Sequence, residues 1–153
     1  MSVLSWNCRG LRNPRIVHDL HHLVKEKKPD LVFLMETKMN NKKCDSIQIK
    51  LGFDYLFCVD CVGHSGGLIL MWKADFNVVI QNYSCRHINV IIARSGTSSG
   101  WKFTGFYGHP NAAKRKEFKD LLRHLHTFQP TPWLCIGDFN EIVNLSVKKG
   151  GGG

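Results

Sequence analysis

Apolar residues in this chain fall into short solid runs and longer helical stripes, and the order of the two predicts most of the elements. Val3 to Trp6 is a largely apolar run that breaks at Asn7-Cys8-Arg9-Gly10, so it reads as a strand entering a loop. Asn13 can then cap a helix, with Pro14 at the first helical position, where its missing N–H costs nothing. Ile16, Val17, Leu20, Leu23 and Val24 share one face of that helix, and His18 and His22 lie on the opposite face. Pro29 stops it, and Asp30 to Met35 reads as a buried strand that ends at Glu36. Strand, helix and strand of these lengths form a βαβ unit, which makes the two strands parallel and adjacent. Asn7 and Glu36 then emerge together at carboxyl ends, on strands about 4.8 Å apart.

The middle of the chain is antiparallel in character. Phe53 to Cys61 and Leu68 to Trp72 read as strands joined by the turn-rich stretch Val62 to Gly67. Phe76 to Ile80 and Ile88 to Ala93 add two more, and the loop Ser95 to Gly100 leads into a strand from Trp101 to Tyr107. The opening pattern then returns. Gly108-His109-Pro110-Asn111 leads into a helix with Phe118, Leu121, Leu122, Leu125 and Phe128 on its apolar face, ended by Gln129-Pro130-Thr131-Pro132. Trp133 to Ile136 is the next strand. Gly137 breaks it, and Asp138 and Asn140 follow at once. In open α/β sheets ligands sit beyond the carboxyl ends of the strands, so Gly137-Asp138-Phe139-Asn140 reads as one wall of an active site. Strand–Asn7–helix–strand–Glu36 is thus echoed by strand–Tyr107–helix–strand–Asp138, which predicts two pseudo-equivalent halves in one α/β domain over residues 1–147. Ile142 to Val147 is expected to be weakly structured, and residues 148–153 form a flexible Lys/Gly tail.

A formal charge of +9, from 21 Lys+Arg against 12 Asp+Glu, points to a polyanionic partner, although a solvated basic surface fits as well. No stretch approaches the roughly 20 apolar residues that a membrane span needs, and the first residues read as strand and turn, not as a signal peptide. Cys58-Val59-Asp60-Cys61 with His64 has a metal-like spacing, but there is no second C-x2-C. The six cysteines are therefore expected to be free buried thiols in a reducing, intracellular compartment. His18 and His22 are spaced like two ligands, which is too few for a site, and read as a solvated face. Asn7 with Glu36 is different: a carboxylate and an amide oxygen at neighbouring strand ends suit a hard cation such as Mg2+. Glu36 by itself fits a plain strand end equally well.

Taken together, Ser5 to Arg12, Pro29 to Thr37, Gly66 to Trp72, Gly105 to Pro110 and Gly137 to Glu141 resemble the successive motifs of the endonuclease/exonuclease/phosphatase superfamily. Trp6-Asn7-Cys8-Arg9-Gly10-Leu11, Leu34-Met35-Glu36-Thr37-Lys38 and Gly137-Asp138-Phe139-Asn140-Glu141 are especially similar to plant LINE-type retrotransposon endonuclease domains. The likeness runs from Ser2 to about Ser146. It implies an α/β fold, the four-layer α/β/β/α sandwich, and Mg2+-dependent (or Mn2+-dependent) phosphodiester cleavage. In the parent protein this would be DNA nicking for target-primed reverse transcription, in the nucleus. The resemblance also implies roles. Asn7 and Glu36 would hold the metal, and Tyr107 would contact the scissile phosphate, although a tyrosine packed at a strand end is an alternative. Asp138 would activate the attacking water, and Asn140 would donate to a phosphate oxygen. Arg9, Arg12 and Lys38 would meet the DNA backbone, Arg9 standing where some relatives have an acid.

The family's later motifs end in Ser-Asp-His, and no Asp-His pair occurs in this chain. This predicts the N-terminal part of such an enzyme, C-terminally incomplete and weakly active or inactive. Strand edges beside Val32 to Met35 and Leu134 to Ile136 are expected to be left open to association. Whether the chain is itself an enzyme stays open; the alternative is a non-catalytic nucleic-acid-binding remnant of a decayed element. No obligate protein partner is readable.

Overall fold

The computed structural model describes residues 1–39, 41–60, 66–97, 100–107, 133–137 and 141–144, with the backbone alone at 41–42 and 141–144. The chain divides into two compact units, one of Met1–Lys73 with Phe139–Gly153 and one of Ala74–Asp138, and each has its own sheet.

The first unit is built on the expected βαβ. Strand β1 (Ser2–Asn7) pairs in parallel with β2 (Leu31–Met35), in a register that sets Asn7 against Met35. Helix α1 (Pro14–Lys27) joins them. Asn13 caps it by accepting the Arg15 N–H at 3.0 Å, and Lys28 ends it in a left-handed conformation with its N–H on the Val24 carbonyl at 2.8 Å. Leu20 and Val24 are buried, and Ile16, Val17 and Leu23 pack partly buried against the same core. A second helix, α2 (Asn41–Leu51), follows β2, and β3 (Tyr55–Val59) and β4 (Leu68–Trp72) return antiparallel. The sequence reading missed α2. Among its described side chains Cys44, Ile47 and Leu51 are buried while Ile49 is 78% exposed, so its apolar stripe is too thin to show.

Two expectations are corrected in this sheet, whose order is β3-β4-β2-β1-β9. Ile142 to Asn144, expected to be weakly structured, belong to β9 (Glu141–Asn144), which pairs antiparallel with β1 from Ser5–Glu141 to Ser2–Asn144. The pairing satisfies the backbone groups along the free side of β1. The second correction concerns Val32 to Met35. Their strand is flanked by β1 and β4, so neither of its edges is open. All five β2 side chains are fully buried, and at about 2 kcal/mol each they contribute roughly 10 kcal/mol. That makes β2 a rigid support for whatever its carboxyl end carries.

The second unit contains β5 (Phe76–Tyr83), β6 (His87–Arg94), β7 (Trp101–Phe106) and β8 (Trp133–Ile136), in that spatial order. The first three strands are antiparallel, with an irregularity between Ile80 and Asn82, and β7 and β8 are parallel. The β7–β8 pair therefore repeats the β1–β2 pair, as the two halves of the sequence predict. The helix expected from Phe118 to Phe128 lies outside the described residues. β8 forms one end of its sheet among the described strands. Gly137 follows directly, and a Cβ there would come within 2.6 Å of the Phe106 ring, which explains the glycine at this strand end.

Candidate functional site

Beyond their last paired residues, β1 and β2 stay joined by backbone hydrogen bonds. Cys8 N–H donates to the Met35 carbonyl at 2.9 Å, Gly10 N–H to the Glu36 carbonyl at 2.7 Å and Leu11 N–H to the Thr37 carbonyl at 2.9 Å. On the other side, Thr37 N–H donates to Gly67 at 3.2 Å and Lys38 N–H to Gly66 at 2.9 Å. Three loops are thus laced together around Glu36. The lacing forces unusual backbone: Arg9, Glu36 and Lys38 are non-glycine residues with φ of 51°, 51° and 53°. Residues in this region cost about 1–3 kcal/mol each and cluster where function needs a fixed geometry. The Asn7 side chain is held as well, its Oδ1 accepting the Arg9 N–H at 3.1 Å.

Glu36 is half-buried. Its charge reaches the buried Cys8 thiol, whose pKa is raised first by burial and then by the Glu36 carboxylate, so Cys8 stays a neutral thiol beside the site. Behind Glu36, Thr37 is fully buried, and its Oγ1 has no hydrogen-bond partner among the described residues. Gly67 crowds it: a Cβ on Gly67 would lie 2.2 Å from Thr37 Oγ1 and 3.0 Å from the Lys38 backbone nitrogen. The metal expectation can be tested against this donor set. One carboxylate and one amide oxygen fit Mg2+, which is ordinarily held by one or two carboxylates and keeps several waters. Among the described residues no group of three or more His, Cys, Asp or Glu side chains is placed to hold a metal, so the candidate rests on Asn7 and Glu36.

In the second unit Tyr107 directly follows β7, half-buried, and donates its N–H to the Arg86 carbonyl at 2.6 Å. The Arg86 guanidinium lies 5.0 Å from the centre of the Tyr107 ring, and its buried Nη1 has no hydrogen-bond partner among the described residues. Sequence reading missed Arg86; the polar turn Ser84-Cys85-Arg86-His87 between two strands was the only signal. A chain of hydrogen bonds fixes that turn. Trp133 Nε1 donates to Thr104 Oγ1 at 2.7 Å, Thr104 Oγ1 donates to Asn89 Oδ1, and Asn89 Nδ2 donates to Asn82 Oδ1 at 2.9 Å. His87 bridges Asn82 at 2.7 Å and Ser84 at 2.6 Å, and Ser84 Oγ accepts the Arg86 N–H at 3.0 Å.

Asn82 Oδ1 accepts from His87 Nε2, and with the Ser84 hydroxyl donating to Nδ1 the network suits the neutral imidazole. Burial accordingly lowers the His87 pKa below its ordinary 6.5. The unfolded chain therefore binds the proton first, and the contribution of neutral His87 is complete above pH 6.5 and lost as pH falls through its folded-state value. Thermal melts at pH 8 and pH 5 should show a larger acid loss in the native chain than in His87→Gln. Identical losses would mean that this network does not depend on a neutral imidazole.

The structure thus brings Asn7, Arg9, Glu36 and Lys38 into one laced cluster, with Arg12 exposed just before α1. Tyr107 lies in the second unit, and Asp138 and Asn140 lie outside the described residues. Of the thiols, Cys8 and Cys44 are buried as expected, whereas Cys85 and Cys135 are exposed. All five described cysteines are unbridged; Cys61 and His64 are not among the described residues.

Two mixed sheets, each with one parallel strand pair, define an α/β fold. The sequence matches the profile of the Endonuclease/Exonuclease/phosphatase family over residues 4–150, and the chain belongs to that family. It is similar in fold to the human Nocturnin catalytic domain with a bound sulfate anion, at 15% identity and a TM-score of 0.68, covering 92% of this chain and 64% of that one. Zebrafish (D. rerio) TDP2 complexed with single strand DNA product is similar at 16% identity and a TM-score of 0.64, covering 92% and 61%. The endonuclease domain of TRAS1, a telomere-specific non-LTR retrotransposon, is similar at 15% identity and a TM-score of 0.61, covering 91% and 58%. The chain spans less than two thirds of each of these proteins. No curated protein matches the sequence.

Proposed function

We propose that this chain is the metal-holding part of a Mg2+-dependent endonuclease that nicks DNA in the manner of retrotransposon endonucleases. The observation that carries the reading is the strained loop cluster that fixes Asn7 and Glu36 at paired carboxyl strand ends. The similarity to the TRAS1 domain and to TDP2 with a DNA strand supports nucleic acid as the substrate class. Asn7 and Glu36 hold the ion, which when bound supplies Lewis-acid charge at the scissile phosphate. Arg9 and Lys38, beside them, and Arg12 meet flanking backbone phosphates. Tyr107 contacts the phosphate, as the family resemblance implies. Asp138 orients and activates the water, and Asn140 donates to the phosphoryl oxygens. The reading carries with it an intracellular, reducing location and, through the retrotransposon relation, the nucleus.

This chain has no Asp-His pair to protonate or stabilise the reacting phosphate. Loss of one such positioned donor costs about 100- to 1000-fold in rate. The 153-residue chain should therefore nick supercoiled plasmid slowly in Mg2+, and EDTA, Glu36→Gln and Asp138→Asn should each abolish the residual activity. Nicking that survives EDTA or Glu36→Gln would overturn the assignment. Brisk nicking abolished by Asp138→Asn would show that the chain completes its site without that motif.

A further inference from the structure

Helices α1 and α2 each follow a strand of the parallel pair, so both begin at the strand-end cluster and run away from it side by side. Between them lies an open groove of about 570 Å³. His18 and His21 line it from α1, one turn apart, and Lys43, Ser46 and Lys50 line it from α2 at helical spacing. Arg12, just before α1, also lines it. The floor is apolar, formed by Leu11, Val17 and Ile47. No acidic side chain is among the lining residues, and Arg12, His18, His21, Lys43 and Lys50 are all exposed. Three fixed positive charges and two imidazoles thus border an apolar strip that starts at the candidate site.

We infer that this groove binds a segment of single-stranded nucleic acid. Lys43 and Lys50 are seven residues apart, about 10 Å along the helix, so they meet different phosphates of an extended strand. An apolar floor between cationic rims suits unpaired bases, whose faces also stack on imidazole rings. A duplex hides its bases and is too wide to enter a cavity of ligand-pocket size. The inference takes its class of polyanion from the proposed function but places the contact outside the metal cluster, and its test needs no cleavage.

Fluorescence anisotropy with the full chain should use a labelled deoxythymidine decamer, an abasic strand of the same length and a blunt duplex. The decamer should bind tightest. Lys43→Gln/Lys50→Gln should weaken it about tenfold at low salt and flatten the log K against log salt slope by about 1.4, two contacts at about 0.7 each. Arg15→Gln/Lys27→Gln, on exposed α1 positions turned away from the face of Val17, His18 and His21, removes the same charge and should leave both quantities nearly unchanged. Circular dichroism checks that each variant is folded. An abasic strand that binds as tightly as the decamer, or equal effects of the two double variants, would overturn the groove. Loss of binding in Arg9→Gln with no loss in Lys43→Gln/Lys50→Gln would overturn it while leaving the proposed function standing. Binding to none of the probes would overturn both.

Discussion

Gly67→Ala should be among the most damaging single-methyl changes in the first unit, costing about 3 kcal/mol or more. Two causes add. At φ +94° an alanine is strained whatever surrounds it, and its Cβ would meet Thr37 Oγ1 at 2.2 Å and the Lys38 backbone nitrogen at 3.0 Å. Thr37 is fully buried and Lys38 N is tied to Gly66, so neither can yield cheaply. Gly52→Ala is the natural comparison, because φ there is +76° and nothing lies within 4 Å. It should cost only the backbone term, about 1–2 kcal/mol. Urea melts of the two variants measure the difference, which is the crowding at the loop cluster. Equal losses would show that Gly67 is needed for its backbone angle alone and that the three loops are not packed as tightly as described.

Glu36→Gln should remove most divalent-ion binding while leaving the fold intact. The substitution keeps the size of a half-buried side chain but deletes its charge. A pair of unit charges about 4 Å apart is worth about 4 kcal/mol at an effective dielectric of 20, and a divalent ion gains more. A fall of about 100-fold or more in Mn2+ affinity is therefore expected by calorimetry or by paramagnetic NMR broadening. Asn7→Ala should cost less, because a neutral amide oxygen is replaced readily by water. Undiminished binding in Glu36→Gln would remove the metal from this end of the sheet, and with it the central argument for phosphodiester chemistry.

The α/β class, the parallel β1–β2 pair, the Asn13 cap and a second parallel pair, β7–β8, could all be read from the sequence. Each is a local matter: apolar runs, helical spacing and cap residues act over a few neighbouring positions. The juxtaposition of Asn7 with Glu36 was legible too, because a βαβ unit allows only one arrangement of its two strand ends. Other features depend on partners remote in sequence. Glu141–Asn144 is a strand because β1 offers it an unpaired edge, and Val32 to Met35 is central because β4 returns beside it. Helix α2 buries too few residues to announce itself. The left-handed backbone of Arg9, Glu36 and Lys38 arises from hydrogen bonds among three loops, and no propensity of those residues favours it. The Arg86 guanidinium meets the Tyr107 ring only because β7 delivers that residue to it. The sequence alone singled out Asn7 and Glu36 as candidates, because their strand ends are neighbours in any βαβ unit; only tertiary hydrogen bonding and packing decided how they and their neighbours are held.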